Sequence, residues 1–219
     1  MKTPDPDNRL PVRSPAAELV RRISPELEPE ALSRDLEALR KKALDLGARE
    51  SAAVGAKDIA FCLARRPTPG PETPPLVWPF RSGKDSLEEA LRAYRAGVFF
   101  RVEALTGIQG VGHGRVRETR SEQACIKVHE IVSRLESECF YLGYHLALGF
   151  AAGDCQSLFC AQERGCKAAV KGKGCIRFNK GRPSMEAAGL DPRSLARRLK
   201  WRLPDRKAVP LFAGLVLVA

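Results

Sequence analysis

Residues 121–148 read SEQACIKVHEIVSRLESECFYLGYHLAL. Apolar residues recur there at intervals of three, four or seven, which is the spacing of one face of an α-helix. The stripe comprises Ala124, Val128, Ile131, Leu135, Leu142 and Leu146, and Cys139 falls on it. The stretch therefore predicts the longest helix of the chain, with one face in the core and Cys139 as a packing residue.

Shorter elements are predicted on both sides of this helix. Further helices are expected at residues 29–46, 86–96, 183–188 and 193–201, and strands at residues 98–102 and 209–218. Residues 48–62 suggest two short strands about Gly55, and Asp191-Pro192 has the form of a helix start. Helices that alternate with strands in this way predict an α/β fold, with helices packed on a mixed sheet in a single domain.

The length of 219 residues suits one compact domain with an N-terminal extension. Residues 1–27 are predicted to form a tail and a short helix, and residues 28–219 a cysteine-rich metal-binding α/β domain. Residues 65–79 contain six prolines and one glycine, which predicts a loop.

The chain is expected to be cytoplasmic and to have no membrane span. Its longest apolar stretch, residues 208–219, is well short of the roughly 20 residues that cross a bilayer. The polar N-terminus lacks the apolar core of a secretory signal. In a reducing compartment, its seven cysteines indicate metal or redox chemistry rather than disulfides.

Four of these cysteines form the strongest candidate site. Cys155, Cys160, Cys166 and Cys175 are separated by four, five and eight residues, and glycines are interleaved with them. Glycines allow the sharp turns and close backbone approach that a cluster of thiolate ligands requires. The spacing matches neither the tight pairs of structural zinc sites nor the bacterial ferredoxin run. From the residues alone an iron–sulfur cluster is favoured, with zinc or reduced cysteines without metal as alternatives.

The basic residues are concentrated in one segment. Residues 164–207 contain 14 Lys and Arg against three acidic residues, a difference that equals the whole net charge of +11. Such a segment can be a solvated surface, a nucleic-acid-binding surface, or counter-charge for an anionic metal centre. The last role would fall to Lys167, Lys171, Lys173, Arg177 and Lys180. The segment has few aromatic residues, which argues against single-strand stacking.

Other polar residues suggest supporting roles. Glu136 falls beside the apolar stripe, where a buried carboxylate would need a partner, and Arg182 is the predicted one. Glu186 could cap backbone groups or contact a substrate. Cys125 and His129 lie four residues apart on the long helix and could share a metal, although no third ligand is visible. No catalytic triad or carboxylate pair stands out, so whether the chain is an enzyme stays open.

Four stretches of the chain carry a resemblance to known proteins: residues 135–143, 153–155, 182–191 and 214–218. The most specific is RPSMEAAGLD at residues 182–191, just after the last cysteine. Through these stretches the chain resembles a family of cysteine-rich predicted metal-binding proteins of unknown function, mostly from anaerobic bacteria and archaea.

The resemblance implies that Cys155, Cys160, Cys166 and Cys175 are the ligand set. It favours an iron–sulfur cluster, of the [4Fe-4S] type, over zinc. Arg182 and Glu186 would support this cofactor. The expected role is electron transfer, redox sensing or service as an accessory to an anaerobic enzyme, with a redox partner protein. The alternatives are a zinc-stabilised binding module without a redox role, and nucleic-acid binding through the basic C-terminal third.

Two departures from the family pattern bear on this expectation. Typical members space their first three cysteines more tightly. They also carry further cysteines in the N-terminal half, one of them in a Cys-Pro-Pro motif where this chain has VWPF at residues 77–80. Only Cys62 remains upstream of that point. If relatives build a second metal site from those cysteines, we expect it to be lost here, and whether Cys62 joins the main site stays open.

Overall fold

The computed structural model describes residues 29–60, 94–104, 120–169, 174–203 and 211–219. The predicted N-terminal tail and short helix, the proline-rich loop, Cys62 and most of the helix expected at residues 86–96 lie outside these ranges. The described helices are α1 (Pro29–Asp45), α2 (Ala56–Ala60), α3 (Arg120–Tyr141), α4 (Cys155–Phe159) and α5 (Pro192–Arg198). The strands are β1 (Glu50–Gly55), β2 (Ala96–Val102), β3 (Leu148–Phe150) and β4 (Phe212–Val218).

The four strands form one sheet in the order β1-β2-β4-β3. All three ladders are antiparallel, and β2 pairs with β4 over seven residues, from Ala96 opposite Val218 to Val102 opposite Phe212. One isolated parallel bridge joins Ala151 to Ser184. The predicted single α/β domain is confirmed, with ladders that are antiparallel rather than mixed.

Both faces of the sheet are buried. On one face Phe100 and Val216 pack with Val128 of α3 and with residues of α1. On the other face Phe99 and Leu215 pack with α5, and the Trp201 ring stacks on Phe99 at 5.0 Å between centroids. Every residue of β4 is buried, so this strand has a continuous apolar sequence rather than an alternating one.

Helix α3 is the predicted long helix, but it ends at Tyr141, seven residues early. Gly143 has φ +97°, and the Tyr144 and Gly143 N–H groups donate to the carbonyls of Cys139 and Phe140. These bonds form a glycine-based C-cap that stops the helix. Leu146, which was assigned to the apolar stripe, is therefore 70% exposed.

Two other short elements differ from the prediction. The residues after Gly55 form α2 rather than a strand, because Asp58 accepts the Gly55 N–H and so favours a helical turn. Residues 185–189 form a turn that Gly189 ends at φ +78°, not a regular helix. The start of α5 is as predicted, since the Asp191 side chain accepts the Arg193 N–H. None of the described helices combines the length and the apolarity that a bilayer crossing needs.

Replacement of Gly97 by Ala should destabilise the sheet. A Cβ at this position in β2 would lie 2.5 Å from the backbone oxygen of Val216, which the β2–β4 ladder holds in place. We expect the free energy of unfolding to fall by about 1–3 kcal/mol, as for other overpacked interiors. Urea unfolding would measure the change. Gly174→Ala is the matched control because no described residue lies within 4 Å of its added Cβ. Equal stability of the two variants would contradict this account.

Candidate metal centre

The four candidate cysteines lie on one loop whose two ends are joined. At its base the Ala151 N–H donates to the Pro183 carbonyl at 2.9 Å, and the Met185 N–H donates to the Ala151 carbonyl at 3.1 Å. Residues 152–182 thus leave the sheet beside β3 and return to the same place. Because these hydrogen bonds hold its two ends together, the segment is a closed loop that carries all four thiols. It is called here the cysteine loop (residues 152–182).

The first of these cysteines is positioned by the start of a helix. Cys155 is the first residue of α4, and Asp154 caps this helix by accepting the N–H groups of Gln156 and Ser157 at 3.1 and 3.0 Å. The Ser157 hydroxyl also donates to Asp154. Capping by Asp154 therefore fixes the first turn of α4, and with it the position of Cys155.

The four thiols are half-buried and interact with one another. All the described cysteines are free of disulfides. The pKa of the Cys155 thiol is raised to about 12, chiefly by burial and then by the negative charges of Asp154, Cys166, Cys175 and Cys160, in that order. Each of the other three thiols thus lies near enough to affect the ionisation of Cys155.

The thiols nevertheless do not form a closed ligand shell. Across the described ranges, no three side chains of the His, Cys, Asp or Glu type are arranged to hold one metal ion. Residues 170–173, between Cys166 and Cys175, lie outside the description. The structure brings the four cysteines into one region without drawing their sulfur atoms onto a common centre.

Arg177 links three parts of the cysteine loop. Its backbone N–H donates to Cys175 Sγ at 3.4 Å, and its Nε donates to the Phe159 carbonyl at 3.3 Å. Burial raises the pKa of the Cys160 thiol, and the Arg177 guanidinium opposes this rise. The sequence indicated Arg177 only as one of several basic residues. The available sequence signal was its position two residues after Cys175, because a backbone N–H at that position can reach the sulfur of the cysteine.

Glycines let the backbone approach the sulfur atoms. A Cβ on Gly181 would lie 3.6 Å from Cys155 Cβ, so the backbone there passes beside the candidate ligand. A Cβ on Gly153, which has φ +76°, would lie 2.8 Å from Cys125 Sγ. Four thiols, an N–H donor to sulfur and close backbone approach together fit a thiolate-bound centre such as an iron–sulfur cluster or zinc.

The predicted pairing of Glu136 with Arg182 is confirmed. Arg182 Nε and Nη2 both lie 2.6 Å from Glu136 Oε2, and Glu136 Oε1 accepts the Gly149 N–H at 2.8 Å. Arg182 Nη1 donates to the carbonyls of Phe178 and Gly181. Burial raises the pKa of Glu136, and the Arg182 charge opposes this rise. The ion pair therefore joins α3, β3 and the end of the cysteine loop.

His129 supports the same junction. Its Nδ1 accepts the backbone N–H of Arg182 at 3.2 Å, and its ring meets the Phe159 ring edge-on at 5.0 Å. The residue is 1% exposed, and its buried Nε2 has no hydrogen-bond partner within the described ranges. Burial lowers the pKa of His129 to about 4, so the imidazole is neutral. Among the residues that the structure describes, His129 and Cys125 belong to no group of three or more side chains that could hold a metal.

Glu186 lies in the turn that follows the cysteine loop. It lies in the turn at residues 185–189 with an exposed side chain, and its carboxylate interacts with Ser184. Its backbone carbonyl accepts the Gly189 N–H at 2.9 Å. Of the two predicted cofactor supports, only Arg182 contacts the cysteine loop through hydrogen bonds shown in the structure.

Comparison with known proteins gives one match. A family model described as predicted metal-binding protein (DUF2284) matches residues 74–218, which include the cysteine loop and all but the first of the four strands. No curated protein and no solved structure matches the chain.

Arg182→Ala should destabilise the protein strongly, because it leaves the Glu136 carboxylate buried without its cation. Removal of one partner of a buried pair costs about 3–5 kcal/mol. Urea unfolding of this variant should be compared with Lys41→Ala, which removes an exposed ion pair with Glu37 and should change the stability little. The double variant Glu136→Gln/Arg182→Met should recover part of the loss. Similar losses in Arg182→Ala and Lys41→Ala would contradict a structural role for the pair.

Lowering the pH should reduce the stability of the protein through the buried His129. Between pH 6.5 and about 4 the unfolded chain protonates this imidazole while the folded chain does not, so stability falls as the pH decreases. The His129 contribution reaches about 3 kcal/mol at the acidic end. Unfolding measured across this range should show a shallower pH dependence for His129→Gln than for the wild type. The same substitution at an exposed position, His145→Gln, is the matched control. An unchanged slope in His129→Gln would refute the assignment.

Proposed function

Because the chain belongs to the family of predicted metal-binding proteins, we propose that Cys155, Cys160, Cys166 and Cys175 hold its metal centre. The observation that carries this proposal is that four half-buried thiols lie on one loop whose ends are joined by the two hydrogen bonds of Ala151. The pKa values of the Cys155 and Cys160 thiols are raised, so metal binding here would release their protons. Binding would also draw the four sulfur atoms together. The loop base supplied by Ala151 would hold the ends while this happens.

An iron–sulfur cluster of the [4Fe-4S] type is the proposed occupant. The Arg177 N–H to Cys175 Sγ bond and the guanidinium beside Cys160 are the kinds of contact that stabilise the negative charge of a thiolate-bound cluster. The bound cluster would supply one-electron transfer. The chain's own residues would hold it: the four cysteines as ligands, Arg177 as donor to sulfur, and Arg182 as the anchor of the loop.

The proposed role is that of a redox protein, acting in electron transfer, redox sensing or as an accessory to an anaerobic enzyme. A redox partner protein belongs to this proposal. Zinc is the alternative occupant, and it would leave a stabilised binding module without electron transfer. The metal content of the purified protein separates these two roles.

Nucleic-acid binding has weaker support from the described residues. Several cations of the basic segment already have acidic partners: Arg182 is buried against Glu136, Arg198 pairs with Asp58, and Lys167 lies 3.8 Å from Glu163. A phosphate-binding surface would need such cations to be available together. We therefore favour the metal-binding role over nucleic-acid binding.

Cys160→Ser should abolish or bleach the metal centre. Anaerobically purified wild-type protein should be brown, with matched iron and acid-labile sulfide, and this variant should lose most of its visible absorption. The control is Cys125→Ser, which changes a cysteine outside the ligand set and should keep the iron content. A colourless wild-type protein with stoichiometric zinc would show that the bound metal is zinc and not an iron–sulfur cluster. Absence of both metals would refute the proposed site.

Arg177→Gln should lower the midpoint reduction potential of the bound cluster, because it removes a positive charge beside Cys160. The backbone N–H to Cys175 Sγ is kept, so the iron content should stay close to that of the wild type. Redox titration followed by the visible spectrum would measure the potential. Arg164→Gln, an exposed change on the same loop, is the control for net charge. Equal shifts in both variants would contradict a specific role for Arg177.

A further inference from the structure

A groove lies between the outer side of α3 and the end of the cysteine loop. Its volume is about 570 Å³, within the range of about 300–1,000 Å³ that is usual for small-molecule sites. Ser133, Arg134 and Ser137 of α3 line one side, and Phe159, Asn179 and Lys180 of the cysteine loop line the other. The Ser133 hydroxyl donates to the Asn179 carbonyl at 3.0 Å, which ties the two sides together.

The groove has an excess of positive charge. Lys127, Arg134 and Lys180 line it together with one carboxylate, Glu130, which lies 3.6 Å from Lys127. Neither Arg134 nor Lys180 has an ion-pair partner within the ranges that the structure describes. Two exposed cations of this kind, on opposite sides of one groove, provide charge for an anion.

The rest of the lining is suited to an apolar body. Ile126 and Leu46 contribute aliphatic surface, and the half-buried Phe159 ring is held by its edge-on contact with His129. A ring that is fixed in place offers contact area at little cost in conformational entropy. Phe159 is also the residue before Cys160, so a molecule in the groove would lie next to the candidate metal centre.

We infer that this groove binds a small organic anion, with its negative group between Arg134 and Lys180 and its apolar part against Phe159. This site goes beyond the proposed metal function and does not depend on it, since its lining contains none of the four cysteines. If a cluster is bound as proposed, the anion would lie beside it as a substrate or effector.

Two fluorescent probes with the same ring system test the inference on the full-length protein. 8-Anilinonaphthalene-1-sulfonate carries one negative charge, and N-phenyl-1-naphthylamine is neutral. The anionic probe should bind more tightly than the neutral one. Arg134→Ala and Lys180→Ala should each weaken the anionic probe about two- to fivefold, as expected for partly exposed charge pairs, and leave the neutral probe unchanged. Lys41→Ala, on the exposed side of α1, is the charge-matched control and should bind both probes as the wild type does.

A second pair of variants tests the location without relying on charge. Ser137→Trp should fill the groove and displace both probes, whereas Ser137→Ala should bind them normally. The inference is overturned if Ser137→Trp binds like the wild type, or if Lys41→Ala loses as much affinity as Arg134→Ala. The same titrations on Cys160→Ser, with metal content measured, separate this site from the metal centre, because anion binding should persist when the metal is lost.

Discussion

The ion pair between Glu136 and Arg182 is the interaction on which the rest of the arrangement depends. A buried pair is costly unless its remaining hydrogen-bonding groups are satisfied. Here the Gly149 N–H satisfies the carboxylate, and the carbonyls of Phe178 and Gly181 satisfy the guanidinium. Gly149 is required for this geometry, because a Cβ there would lie 2.3 Å from Val132 Cγ1 and 2.7 Å from Glu136 Oε1.

This junction connects a closely packed support to the loop that carries the four candidate cysteines. The support consists of α3 and the sheet, whose side chains are closely packed on both faces. The cysteine loop is joined to it at its base by the two bonds of Ala151 and near its end by Arg182. Between these attachments the thiols are only half-buried. A loop held at its ends can change conformation between them without disturbing the core.

The elements that the sequence predicts are those with a strong local signal. Local sequence patterns predicted three features that the structure confirms. They are the apolar stripe of α3, the continuous apolar runs of β2 and β4, and the cap at Asp191. The Glu136–Arg182 pair was also predictable, because a carboxylate beside an apolar stripe requires a cation. Strand β3 was missed because three residues are too few for a pattern. The end of α3 was missed because apolar residues continue at helical spacing beyond Gly143. The bonds that close the cysteine loop join residues more than 30 positions apart, and no local pattern marks them.

The strand order has a consequence for how the chain reaches this state during synthesis. Strand β4 is the last of the four in sequence, yet it lies between β2 and β3 and forms the only ladder of β3 within the described ranges. A ribosome therefore releases all four cysteines before the strand that fixes β3 is available. Until β4 pairs with β3, the sheet beside the base of the cysteine loop is incomplete. Pairing between strands that are far apart in sequence is slow. The base of the cysteine loop at Ala151 therefore has a complete sheet beside it only after β4 has been synthesised and has paired with β2 and β3.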